Sequence, residues 1–172
     1  MASLGHVAIG LAAGRLYDPK RWRNAAVGFT LVSLWPDIDA IGFRFGVRYA
    51  DPFGHRGASH ALALAVVVAL AAYVFARRGG LPATRTAVIA GLVAASHGIL
   101  DTMTFGGGLG CALLWPISNE RFWAPVRFIP VAPIGAGLLS ARGLYVMLVE
   151  LALFAPFWLY AVIPRRPKPD SR

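Results

Sequence analysis

The chain has 172 residues, of which 57% are hydrophobic and 15% charged, with a mean hydropathy of +0.59. A soluble domain of this length carries roughly a quarter charged residues, so the apolar surplus exceeds one water-soluble core and points to lipid contact. The net charge of +9 does not indicate nucleic-acid binding, because Lys and Arg stand in short clusters between apolar runs, where they set membrane orientation.

Length allows one domain. It is read as an all-α integral membrane bundle of about five segments over residues 1–164. Residues 165–172 follow as a basic, proline-rich, disordered cytoplasmic tail. Cys111 is the only cysteine, which excludes an internal disulfide and a thiolate metal cluster.

The apolar segments cover residues 4–16, 24–35, 60–76, 86–101 and 144–163. The first has no basic residue before it and ends in Arg15-Leu16-Tyr17-Asp18-Pro19-Lys20, so it is read as a retained helix rather than a cleaved leader. The first two are short for a span of ~20 residues, and only the fifth is long enough alone. Pro36 ends the second segment. Arg77-Arg78-Gly79-Gly80-Leu81-Pro82 is a basic turn between the third and fourth. Residues 102–142 form a long connection rich in Pro, Gly and aromatics, a length that is usually functional or partly structured. Its Gly106-Gly107-Gly108-Leu109-Gly110 run lacks the Gly-Lys-Ser/Thr of a phosphate loop.

Eleven of the seventeen Lys and Arg fall on one side of this topology: Arg15, Lys20, Arg21, Arg23, Arg77, Arg78, Arg85, Arg165, Arg166, Lys168 and Arg172. That side is expected to be cytoplasmic, which puts the N-terminus and the long connection outside and the C-terminus inside.

The ionisable residues gather at the other side. His6 lies near the outer end of the first helix, and Asp37 and Asp39 close the second. His55-Arg56-Gly57-Ala58-Ser59-His60 opens the third, and His97 and Asp101 close the fourth. His97 and Asp101 are four apart and share a helix face. Ala90 and Ala94 continue that stripe, with Gly91, Ala95 and Gly98 beside it, so neighbouring helices can approach closely. His55 can join His60 only from a loop, which Gly54 and Gly57 permit. Imidazole with carboxylate suits Zn, Mn or Fe better than Ca or Mg alone, and seven candidate ligands are too many for one tetrahedral zinc, which points to a two-metal site, with one ion as the alternative. Arg56 is read as an anion clamp or a headgroup anchor. Glu150, inside the fifth segment, either completes the site or pairs with an arginine such as Arg142. Ser118, Asn119 and Glu120 are weaker candidates, being ordinary loop residues.

The succession of His6, Pro36-Asp37-Ile38-Asp39, His55-Arg56-Gly57-Ala58-Ser59-His60 and His97-x-x-x-Asp101-Thr102 resembles the YdjM-type inner-membrane proteins described as metal-dependent hydrolases. The resemblance runs from His6 to about Ser118, with the His-Arg-Gly-x-Ser-His element most specific. Trp35 stands where the family pattern often has Leu. The resemblance implies that His6, Asp37, Asp39, His55, His60, His97 and Asp101 form a metal site in a membrane-bound hydrolase. More distantly, the order of ligands resembles zinc-dependent phospholipase C and related single-strand nucleases, whose later histidines and His-x-x-x-Glu are missing here.

The expected activity is therefore hydrolysis of an ester or phosphoester at the outer membrane face, with Asp39 or Asp37 orienting water and Arg56 stabilising negative charge. The expected partners are membrane lipid and a small or lipid-linked substrate. Two rivals remain: a small transporter or proton-coupled channel, since intramembrane His, Asp and Glu also build such pathways, and a non-catalytic membrane scaffold.

Overall fold

The computed structural model describes residues 3–18 and 22–163. The tail at 165–172, with Lys20 and Arg21, lies outside the described residues. Among the described residues six α-helices follow in order: α1 (Ser3–Tyr17), α2 (Trp22–Leu34), α3 (Leu62–Arg78), α4 (Ala83–Thr102), α5 (Ala141–Leu153) and α6 (Ala155–Val162). The molecule is mostly helical, with two to three helices fit to cross a membrane.

The packing is inverted relative to a soluble protein. Most apolar residues at buried positions are alanine, including Ala8, Ala12, Ala13, Ala26, Ala65, Ala76 and Ala90. Large apolar side chains such as Leu31, Val67, Leu70, Leu92, Leu148 and Leu159 are exposed. With lipid outside there is no hydrophobic drive to bury them, and small residues let the backbones approach. Gly10 and Gly14 on α1 show this directly. A Cβ on either would fall 2.4 Å from the Thr30 Cα or 2.3 Å from the Ala26 Cα of α2. This Gly-x-x-x-Gly pair, visible in the sequence, fastens α1 to α2.

Two segments differ from the sequence expectation. The second apolar segment does not stop at Trp35. A 3-10 helix, Trp35–Phe45, continues it, giving one apolar helical stretch of 24 residues. Pro36 ends the α-helical hydrogen bonding but sits in the first positions of the new helix, where its missing N–H costs nothing. The fifth segment, expected to span alone, is two helices meeting at 67°. Pro156 falls in the first turn of α6, where its ring cannot continue the ladder of α5. The bent pair still makes a third candidate span, beside Trp22–Phe45 and Ala83–Thr102.

α4 packs against α1, α2 and α3, whereas α3 rests on α4. The connection after α4 is ordered. β1 (Thr104–Phe105) pairs in parallel with β2 (Ile129–Pro130), and Cys111 bridges to Phe122. It clamps the entrance to α3 through Ala112 N–H to the Arg56 carbonyl (2.9 Å) and Leu62 N–H to the Leu113 carbonyl (3.0 Å).

Candidate metal centre

The structure brings together all seven His and Asp residues singled out in the sequence. His6 comes from α1, Asp37 and Asp39 from the 3-10 helix after α2, His55 from a turn, His60 from a short 3-10 turn, Ala58–His60, and His97 and Asp101 from α4. His60 is therefore not the first residue of α3 but is held just ahead of it. Its carbonyl lies 2.3 Å from where a Cβ on Gly98 would stand, so only glycine lets α4 come this close.

The ring nitrogens divide the cluster into two layers. His97 Nδ1 donates to the Ser33 carbonyl at 2.5 Å. A carbonyl can only accept, so Nδ1 carries a proton, and in the neutral ring Nε2 carries the lone pair. Ser59 Oγ donates to Asp39, which leaves Oγ free to accept from His60 Nδ1 at 2.9 Å. In the neutral ring His60 Nε2 is then also a lone-pair donor. The two Nε2 atoms face each other at 3.1 Å, an arrangement that two neutral lone pairs resist and a shared cation satisfies.

Carboxylates complete the set. Asp37 Oδ1 lies 3.7 Å from His60 Nε2 and 3.5 Å from His97 Nε2, and Asp101 Oδ2 lies 3.6 Å from His60 Nε2. An ion bound tetrahedrally at about 2.0–2.1 Å separates its ligands by roughly 3.3–3.4 Å. The observed 3.1–3.7 Å brackets that edge. Asp37, His60, His97 and Asp101 thus form one group able to hold a metal ion, and Asp39, His55 and His60 a second.

The second group is better suited to orienting the first. Asp39 Oδ1 accepts from His55 Nδ1 at 2.6 Å, and Oδ2 accepts from Ser59 and from the Arg56 amide at 3.2 Å. This is the outer carboxylate that fixes the tautomer of a metal-binding imidazole. His6 stacks on His97 with ring centroids 3.7 Å apart, and its Nε2 lies 3.4 Å from Asp101 Oδ1.

Charge gives an independent test. His6, Arg56, His97 and Asp101 have no exposed surface. The Asp37 and Asp39 side chains retain 11% and 7%. Among the described residues, three carboxylates against one guanidinium leave two negative charges within the cluster when the imidazoles are neutral. Burying uncompensated charge is strongly unfavourable. One divalent cation balances the set, and two would leave it positive. The donor set of Asp37, His60, His97 and Asp101 therefore fits a single ion.

Arg56 is no surface headgroup anchor. Its Nε lies 3.0 Å from Asp101 Oδ2, its Nη1 donates to the Leu109 carbonyl at 3.1 Å, and its guanidinium lies over Trp123. Its Nη2 is buried and without a partner among the described residues. The backbone adopts φ 64° there, a left-handed conformation that is unfavourable for a long side chain.

Glu150 neither joins the cluster nor pairs with Arg142. Its carboxylate accepts the Leu4 and Gly5 amides at 2.7 and 3.1 Å, capping the start of α1. Ser118 and Glu120 form a turn in which the Glu120 amide donates to Ser118 Oγ. Ser33, Ser59, Gly98 and Thr104 were not singled out as site residues. Thr104 donates to the Asp101 carbonyl at 2.9 Å. Ser59 and Gly98 sit inside the motifs, but their roles depend on contacts between distant segments. Cys111 is fully buried, and burial pushes its thiol up to about 12.

Comparison with known proteins gives a consistent assignment. The profile described as YdjM inner membrane protein matches residues 1–166. The chain is 41% identical over 128 residues to inner membrane protein YbcI of Escherichia coli (strain K12), covering 73% of this chain and 70% of that protein. No solved structure matches.

Proposed function

Because the chain belongs to the YdjM inner membrane protein family, we propose that it is a membrane-bound metal-dependent hydrolase using one divalent ion. The reading rests on one observation above others: two buried Nε2 atoms face each other at 3.1 Å, each ring held by a partner on Nδ1 and ringed by the carboxylates of Asp37 and Asp101. His60, His97, Asp37 and Asp101 would hold the ion, and a set of two nitrogens and two carboxylates suits Zn, with Mn or Fe also accommodated. Bound there, it would polarise an ester or phosphoester oxygen and make water a better nucleophile.

The protein's own groups have separate tasks. Asp39 and Ser59 hold the His60 tautomer. Asp37 is the more exposed of the two aspartates of its segment, so water reaches the cluster beside it and it orients that water. Arg56 fixes Asp101 and keeps Nη2 available to a developing negative charge. The basic side faces the cytoplasm in this reading, which places the site at the outer membrane face and favours a small or lipid-linked substrate. A transporter is less well supported, because Glu150, the main candidate to extend a polar path, is occupied in capping α1.

Near-complete burial of the cluster supports a second reading, in which the ion only ties the helix ends together. Elemental analysis of purified protein beside His97→Ala, with chromogenic ester and phosphodiester assays, separates them. Hydrolysis lost together with one ion per chain supports the enzyme. One ion with no hydrolysis supports the structural ion. No ion in the wild type removes both.

A further inference from the structure

At the opposite end of α4 lies a feature that uses none of the site residues. α2 and α3 both pack on α4 but barely touch each other. The gap between them is a cavity of 660 Å³, within the range of about 300–1,000 Å³ typical of ligand sites. Phe29, Val32, Val68 and Phe75 line its apolar length, and Asn24 and Thr86 its polar end. Thr86 is roughly 17 Å along α4 from His97, at 1.5 Å per residue.

We propose that this groove binds one anionic glycerophospholipid, with an acyl chain between α2 and α3 and the headgroup phosphate among the arginines at its polar end. Three observations support that occupant. The groove separates two helices whose outer faces are apolar and exposed, so a chain enters sideways from the bilayer. Gly28 lines it, and a Cβ there would meet nothing within 4 Å. Arg23 and Arg85, each next to a residue of the polar end, are exposed, as are Arg77 and Arg78 in the last turn of α3. Asp18 also lines the polar end, and Arg85 reaches it, its guanidinium lying over Tyr17 and donating to the Leu16 carbonyl at 2.8 Å, so a phosphate there meets Arg23 and Arg85 against one carboxylate. The chain's own C-terminal tail, Arg165-Arg166-Pro167-Lys168-Pro169-Asp170-Ser171-Arg172, has no apolar residues to fill an apolar groove.

The test is native mass spectrometry of the full-length protein exchanged from mixed micelles with equal phosphatidylglycerol and phosphatidylcholine. Wild type is expected to retain one phosphatidylglycerol in at least fivefold excess over phosphatidylcholine. Gly28→Phe fills the groove from α2 and should lower the lipid-bound fraction at least tenfold. Ala71→Phe fills it from α3 and serves if the first variant fails to fold. Arg23→Gln with Arg85→Gln should keep a bound lipid but lose the preference. Equal retention of both lipids, unchanged retention in the filled variants, or a lipid-free doubled mass from a second copy would each overturn the proposal.

Discussion

At the Asp101 end of α4, three carboxylates, four imidazoles and a guanidinium are turned inward with almost no exposed surface. At the Arg85 end, Arg23 and Arg85 stand exposed beside residues of a largely apolar groove, with Arg77 and Arg78 exposed in the last turn of α3. Both ends place charge beside lipid, and the difference lies in what neutralises it. Exposed arginines are also served by water and headgroups, so a single protein contact such as that of Arg85 with the Leu16 carbonyl matters little. The buried cluster must balance itself from within, so each donor has a defined partner and each change is felt by the others. Substitutions at the cluster should therefore be costly and coupled, and those at the groove mild and nearly independent.

The largest effect is expected from His97→Ala. It removes one of the two facing Nε2 atoms, and metal affinity should fall at least 1,000-fold, about 4 kcal/mol, in competition with a chelator. Affinity within tenfold of wild type would mean that the ion, if any, lies elsewhere. Arg56→Gln comes next. It removes the guanidinium that pairs with Asp101 in a fully buried place, and breaking such a pair costs about 3 kcal/mol or more. Denaturant unfolding in mild detergent should show that loss. A loss below about 1 kcal/mol, the usual worth of an exposed pair, would place this arginine with those at the other end.

Asp39→Asn should act through His60 rather than on the ion. The carboxamide keeps the size of the side chain but weakens its hold on Ser59 and His55. A 10–100-fold drop in metal affinity is expected, the usual effect of losing an outer partner, with the fold intact. A drop as large as that of His97→Ala would make Asp39 a direct ligand and restore a two-ion reading. Gly98→Ala tests the packing beneath the same residue. Its new methyl would stand 2.3 Å from the His60 carbonyl, and overpacking of this kind costs about 1–3 kcal/mol.

The sequence made the cluster legible because each member stands at the end of an apolar segment, and alternating segment directions bring those ends together. His97 and Asp101 were read from helical spacing alone. The division into ligands and orienting residues was not legible. It depends on which ring nitrogen meets Ser33 or Ser59, and the His97 contact joins residues 64 apart in sequence. Glu150 was misjudged for the same reason, since its partners Leu4 and Gly5 lie about 145 residues away. The break at Phe154 had a local signal in Pro156 that hydropathy outweighed. Conversely, Pro36 read as a stop, while the chain continued as a tighter helix through Phe45. The left-handed backbone of Arg56 has no sequence signature at all, because Gly54 and Gly57 on either side are the residues expected to take such a conformation.

The smallest effect is expected from Gly28→Ala, the counterpart of Gly98→Ala at the other end. Both change glycine to alanine in the interior of an α-helix, so the intrinsic gain in helix propensity is the same, up to about 1 kcal/mol. At Gly98 the carbonyl of His60 overrides that gain. At Gly28 a Cβ meets nothing within 4 Å, so the gain should survive. The thermal midpoint should stay level or rise by a few degrees, with metal content unchanged. A methyl is also too small to close a 660 Å³ groove, so bound phosphatidylglycerol should persist, unlike in Gly28→Phe. If Gly28→Ala destabilised the protein as much as Gly98→Ala, α2 and α3 would have to meet more closely than described, and the contrast between the two ends would fail.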